Sequence, residues 1–171
     1  MIQLPRRHLL AATAAFTLVA SLASWAPAAQ AQTVADIKGK GTINVGLLVD
    51  FPPYGTVDTS NQPDGYDADV AKLLAKDLGV KVNLVPVTGP NRIPFLLTNK
   101  VDVLVASLAI TPERAKQVQF SRPYSAATIV LYGAKKANIK GAADLKGVRI
   151  GVARASTQDT TVTAMAPEAT E

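Results

Sequence analysis

Three short apolar runs constrain this chain most. Residues 43–49, 80–85 and 101–106 are rich in Val, Ile and Leu, and each is too short to be a buried helix. Between the first two, Val70, Leu73, Leu74 and Leu78 recur at i, i+3, i+4 and i+8, one apolar helical face. Asp67 and Asp69 suit its positive amino-terminal end, and Gly79 is a stop. Between the second and third, residues 90–99 read as a short helix with Ile93, Leu96 and Leu97 on one face. Pro94 fits there only in the first turn. Strand, helix, strand, helix, strand implies crossover connections. Those give an α/β fold with mainly parallel sheets and helices on the faces.

The rest continues the alternation. Residues 33–41 look like a polar lead-in. Pro52 and Pro53 stop the first strand, and 58–65 is a turn cluster. Asp102 interrupts the third run. Thr111, Pro112 and Glu113 form a helix start, with an N-cap, a proline at the first position and an acid in the first turn. A short strand is expected over 118–120, a buried strand over 126–132, a turn or short helix over 142–145, a strand over 148–153 and a weak helix over 157–166. No internal repeat is visible.

The chain begins differently. Arg6 and Arg7 form a basic patch without an acid, 9–26 is an apolar stretch, and Ala29-Gln30-Ala31 fits a small-x-small cleavage site. That is the layout of a secretory signal peptide over 1–31. The stretch is short and Ala-rich, which argues against a membrane anchor. The arginine pair is compatible with general or twin-arginine export. Cleavage after Ala31 would leave 140 of the 171 residues, with 16 Lys and Arg against 13 Asp and Glu. The single histidine, His8, would leave too. With no cysteine, disulfides, Cys-zinc sites, catalytic thiols and an amino-terminal lipid-modified Cys are excluded. The mild, scattered positive charge gives a nucleic-acid partner little support.

No phosphate loop, nucleophile elbow or HExxH motif is present. Gly39-Lys40-Gly41 precedes its strand, so it is not a dinucleotide fingerprint. Arg114 is the most informative charge. In the first turn of a helix a cation opposes the dipole, yet beside free N–H groups it can hold a carboxylate. The alternatives are a solvated side chain or an ion pair with Glu113 or Asp102. Ser107 follows the third strand, where ligands bind in open α/β sheets. Phe51 is either an aromatic wall or core. Ser156-Thr157 can cap a helix, bind an anion or do both.

Several spaced segments carry a resemblance. They are 46–54 (GLLVDFPPY), 65–71 (GYDADVA), Asn91-Arg92-Ile93-Pro94, Val101-Asp102-Val103, 107–114 (SLAITPER), 120–124 (FSRPY) and 144–152 (DLKGVRIGV). Together, from about residue 41 to 158, they resemble the periplasmic amino-acid-binding proteins of ABC importers, the extracellular solute-binding family 3. The resemblance implies a periplasmic-binding-protein-like two-lobe fold, with a first lobe over 32–125 and the start of a second over 126–171. It implies an exported monomer that holds an amino acid between its lobes and delivers it to a membrane permease. No enzyme activity, cofactor, metal or nucleic acid is expected.

By the same resemblance, Arg114 grips the α-carboxylate, Thr157 adds a donor from the second lobe with Ser156 near it, and Ser107 contacts the carboxylate or ammonium. Phe51 is an aromatic wall, with Tyr54 a second candidate. Arg92 matches an arginine that can reach the side-chain carboxylate in relatives binding acidic amino acids. Ala109 stands where many relatives carry a hydroxyl residue, and Ala155 where a glycine is frequent. Family members continue for roughly another hundred residues. That stretch commonly carries the aspartate for the ligand's ammonium, and no residue here takes that role. The second lobe is therefore expected to be incomplete. The alternatives are a cyclohexadienyl dehydratase on the same scaffold, which would need a general acid, or a non-functional fragment. Nothing in the sequence names the ligand.

Overall fold

A parallel three-stranded sheet organises the first part of the structure, a computed structural model that describes residues 32–169. The expected signal peptide, 1–31, lies outside the described residues. The central strand, β1 (Thr42–Leu47), pairs on one side with the fourth strand of the chain, Lys81–Pro86, and on the other with the fifth, Val103–Leu104. Both pairings are parallel, with Val45 opposite Leu84 and Val103. The fold is therefore α/β with a parallel sheet, as the strand–helix alternation implies.

The covering helices differ in detail from the sequence reading. Residues 33–41 are not an irregular lead-in: Val34–Lys40 form helix α1. Thr33 and Asp36 make a reciprocal capping box. The Asp36 N–H donates to Thr33 Oγ1 at 3.2 Å, and the Thr33 N–H donates to Asp36 Oδ2 at 2.9 Å. Gly41, in the left-handed conformation, ends the helix. Buried Ile37 anchors α1 to the core beside Ile43 and Val45.

After β1, Thr56–Val57 (β2) and Pro63–Asp64 (β3) form a small antiparallel hairpin around the expected turn cluster. Asp58 Oδ1 closes that turn by accepting from the Ser60 and Gln62 N–H groups. Helix α2 (Tyr66–Leu78) follows and stops at left-handed Gly79. Its buried stripe is centred on alanines, with three of the four expected face residues packed beside it. Ala68, Ala71 and Ala75 are buried, Val70, Leu74 and Leu78 flank them, and Leu73 is 60% exposed. Small residues on the stripe let the helix approach the strands closely. Lys81–Pro86 (β4) leads to α3 (Arg92–Leu97), with Pro94 in the first turn. Phe95, not Leu97, packs inward, against Leu48, Val87, Ala106 and Leu104. Val103–Leu104 (β5) is shorter than expected, although the Asp102 and Val105 N–H groups still bond to the Asn44 and Gly46 carbonyls. Asp102 is tolerated there because it accepts from the Asn44 N–H at 2.7 Å and from Lys40 Nζ at 3.1 Å.

Pro112–Ala115 (α4) starts with the Thr111 cap as expected. Residues 118–120, 126–132 and 148–153 form none of the named strands. A strand needs a hydrogen-bonded neighbour, and no described strand pairs with these segments. Ile129, Val130, Leu131 and Tyr132 are accordingly exposed. Ala142–Leu145 is a 3-10 helix, and Thr157–Met165 (α5) is capped by Ser156. Leu145, Ile150 and Ala166 form a separate apolar cluster with Val148, Val152 and Val162.

Candidate functional site

The segments leaving the carboxyl ends of β1, β4 and β5 converge on one cavity of about 700 Å³. Each contributes lining residues: Phe51 after β1, Thr88, Gly89, Pro90 and Arg92 after β4, and Ser107 to Ile110 after β5. The opposite wall comes from Ala153, Arg154 and the start of α5. All six candidate residues, Phe51, Arg92, Ser107, Arg114, Ser156 and Thr157, line this cavity, and so does Tyr54. Crevices beyond the carboxyl ends of parallel strands are where α/β proteins take ligands. Gly89 allows the walls to meet, because a Cβ there would lie 2.7 Å from the Arg154 carbonyl oxygen.

Arg114 owes its position to the Thr111 cap, whose Oγ1 accepts from the Arg114 N–H at 3.3 Å. Its guanidinium turns back to donate to the Ala109 carbonyl at 2.9 Å and to the Ala155 carbonyl at 3.0 Å. Among the described residues it forms no ion pair, and Asp102 is held by Lys40 instead. The ion-pair alternatives from sequence therefore do not form. Arg114 keeps a full charge at the cavity with only neutral acceptors, and burial pushes its pKa down.

Arg92 is buried, with 5% of its surface exposed. Nε donates to Gly89 O at 3.1 Å, Nη1 to Ala106 O at 3.1 Å, and Nη2 to Ala155 O at 3.1 Å. It thus stitches the ends of β4 and β5 to the later segment. Burial lowers its pKa, the Arg114 charge adds to that, and Asp50 partly offsets it. One carbonyl, that of Ala155, serves both arginines. Ala155 adopts φ 57°, a left-handed conformation that turns its oxygen toward them. Its N–H donates to Asp159 Oδ2 at 2.9 Å, and Ser156 Oγ caps α5 by accepting from the Asp159 N–H at 3.1 Å. Ser156 is thus a helix cap at the cavity wall, with Thr157 beside it as the first residue of α5.

Ser107, also at positive φ, donates its hydroxyl to Asp67 Oδ2 at 2.9 Å. The Tyr124 hydroxyl donates to Asp67 Oδ1 at 2.9 Å and accepts from the Ser107 N–H at 3.3 Å. Asp67 has no exposed surface. Burial raises its pKa, and the two hydroxyl donors oppose that rise. Tyr124 is pushed up as well, by burial first and then by the Asp67 charge. The Phe51 ring stacks on Tyr54 at 6.0 Å, Tyr54 meets Tyr66 edge-on at 5.9 Å, and Tyr66 stacks on Tyr124 at 6.2 Å. An aromatic row therefore runs from the cavity wall to the 124–125 segment.

Asp67, Tyr124 and the Ala155 carbonyl escape the sequence reading. Asp67 reads as a complement to the helix dipole. It also lies at i−4 and i−8 from buried Ala71 and Ala75, and a carboxylate on that stripe signals a partnered acid. Among the described residues, no group of three or more His, Cys, Asp and Glu could hold a metal ion, and no helix is long and apolar enough to cross a membrane.

A cavity at the carboxyl edge of a parallel sheet, walled by a later segment and presenting a cation with no ion-pair partner among the described residues, defines an α/β protein with a crevice where such sheets take ligands. The sequence pattern of the bacterial extracellular solute-binding proteins, family 3, matches residues 43–169, and the chain belongs to that family. The chain is 36% identical over 126 residues to ABC transporter arginine-binding protein 1 of Escherichia coli K12, covering 74% of this chain and 51% of that one. It is 34% identical over 141 residues to a glutamine-binding protein of Geobacillus stearothermophilus, covering 80% and 54%. Among solved structures it superposes on the ancestral amino acid-binding protein AncCDT-1, a precursor of cyclohexadienyl dehydratase. The TM-score is 0.74 at 38% identity, over 81% of this chain and 63% of that one. The chain spans about half the length of these two curated relatives.

Proposed function

We propose that this chain acts as the extracytoplasmic solute-binding component of an amino-acid ABC importer. The observation that carries the reading is Arg114, a guanidinium at the cavity whose described partners are two backbone carbonyls. A carboxylate is the complement such a fork lacks, and a paired guanidinium and carboxylate bind with geometric selectivity. Arg114 takes the α-carboxylate, and Phe51 and Tyr54 form the aromatic wall. Ser107 holds the loop after β5 beside the ligand, and Ser156 and Thr157 face it from the second lobe. Arg92 acts as a stitch within the wall, since carbonyls engage its donors. The lobes are residues 32–125 and 126 onward. A signal peptide over 1–31 exports the protein, with cleavage after Ala31. It works as a monomer that passes its ligand to a membrane permease, and it needs no cofactor, metal or nucleic acid.

Isothermal titration calorimetry of Arg114→Ala against an amino-acid panel tests this reading. Affinity is expected to fall about 100-fold, as for loss of one partner of a desolvated charge pair. Unchanged affinity would overturn the assignment.

The similarity to a precursor of cyclohexadienyl dehydratase keeps one rival, an eliminating enzyme on the same scaffold. Among the described residues, Asp50 is the only carboxyl group lining the cavity, and it is exposed. Elimination needs a general acid within hydrogen-bond reach of the leaving group, and the described lining offers only that one carboxyl for the role. Turnover of prephenate by the purified chain would favour the rival.

A further inference from the structure

Resting on the reading that this cavity takes an amino acid, we infer that the ligand carries net negative charge, an acidic amino acid rather than a cationic one. The charged side chains lining the cavity are Arg92, Arg114, Arg122, Arg154 and Asp50. Positive charge exceeds negative by three. Among the described residues none of the four arginines forms an ion pair. The two inner ones bond only to carbonyls, which solvate a guanidinium without neutralising it. They also donate to the same oxygen, at 3.1 and 3.0 Å, so two like charges sit on either side of one acceptor. Burial is the main cause of the lowered Arg92 pKa, and the neighbouring Arg114 charge adds to it.

An amino acid's α-carboxylate and α-ammonium cancel, so its side chain decides its net charge. One carboxylate on Arg114 leaves the excess largely in place, and a second carboxylate relieves it at the mouth, where Arg122 and Arg154 are exposed. A cationic side chain meets the opposite situation. It needs carboxylates, and among the described lining residues Asp50 alone supplies one. The nearby buried acid, Asp67, does not line the cavity, and the Ser107 and Tyr124 hydroxyls occupy its oxygens. In this respect the site is ill-suited to arginine, the ligand named for one of its relatives.

The test is calorimetry on the full chain with L-glutamate, L-glutamine and L-arginine, at low and high salt. Glutamate is expected to bind at least about tenfold tighter than glutamine, with arginine weakest, and the glutamate advantage should shrink as salt screens the mouth. The double variant Arg122→Gln/Arg154→Gln should bring the glutamate-to-glutamine ratio toward one. If glutamine or arginine equals or exceeds glutamate, the charge preference is wrong while the amino-acid reading stands. If a folded chain, with a cooperative thermal transition, binds none of the three, the amino-acid reading fails and this inference fails with it.

Discussion

The Tyr124 hydroxyl donates a 2.9 Å hydrogen bond to the fully buried carboxylate of Asp67, across 57 positions of sequence. Ser107 supplies the other hydroxyl donor, so the first turn of α2, the end of β5 and the 120–125 segment meet at one acid. Removing either hydroxyl leaves a buried charge short of a partner. Tyr124→Phe should cost about 1–3 kcal/mol. Urea denaturation of the variant beside Tyr66→Phe, whose hydroxyl reaches only the Tyr124 carbonyl near the surface, measures the difference.

Asp67 also makes the stability pH-dependent. Its folded pKa lies above the ordinary 3.8 because burial disfavours the carboxylate. The folded state therefore holds this proton more tightly than the unfolded state. Asp67 contributes most below 3.8, and the contribution is lost as pH rises through the folded value. The stability of the wild type relative to Asp67→Asn should fall as pH rises above 3.8. A difference in denaturation midpoint that stays flat as pH rises would contradict the raised pKa.

At Ala155 a side chain occupies a left-handed conformation that glycine adopts without cost. Ala155→Gly relieves about 1 kcal/mol of native-state strain, reduced by the greater freedom of glycine in the unfolded chain. A net gain of up to about 1 kcal/mol is expected, read as a rise in melting temperature. A fall in melting temperature would mean that the alanine methyl contributes packing that outweighs the strain.

Arg92→Lys keeps the charge and loses the planar fork. Three carbonyls from three segments lose donors that one ammonium cannot all replace. A loss of about 2–3 kcal/mol in stability is expected, with affinities for glutamate and glutamine falling together. A selective loss for glutamate alone would instead make Arg92 a direct contact for the ligand side chain.

What was legible in the sequence follows from the range of the interactions involved. The β1, β4 and β5 runs and the crossovers between them depend on local periodicity, and they are where the pattern places them. Thr33 and Asp36 carry the spacing of a capping box, yet the polar composition of 33–41 hides the helix it starts. The α2 face holds at Val70, Leu74 and Leu78 and fails at Leu73; its centre went unread because leucines dominate a hydrophobicity count, whereas close helix–strand packing selected alanines. Residues 126–132 have strand composition, but pairing depends on partners remote in sequence, and no described strand supplies one. In the candidate site, Arg114 stood out because a cation is misplaced in a first helical turn. Its acceptor at Ala155 is a main-chain atom 41 residues away, which no residue identity encodes.

That acceptor has a consequence for how the protein tolerates change. A side-chain contact vanishes with one codon, whereas the oxygen joining Arg92 to Arg114 belongs to every residue type that can stand at position 155. Drift there alters the ease of the turn and leaves the tie in place, provided the left-handed bend is kept. The junction is mutationally buffered on one side and brittle on the other: it can be severed at either arginine, but not by exchanging the residue that holds them together.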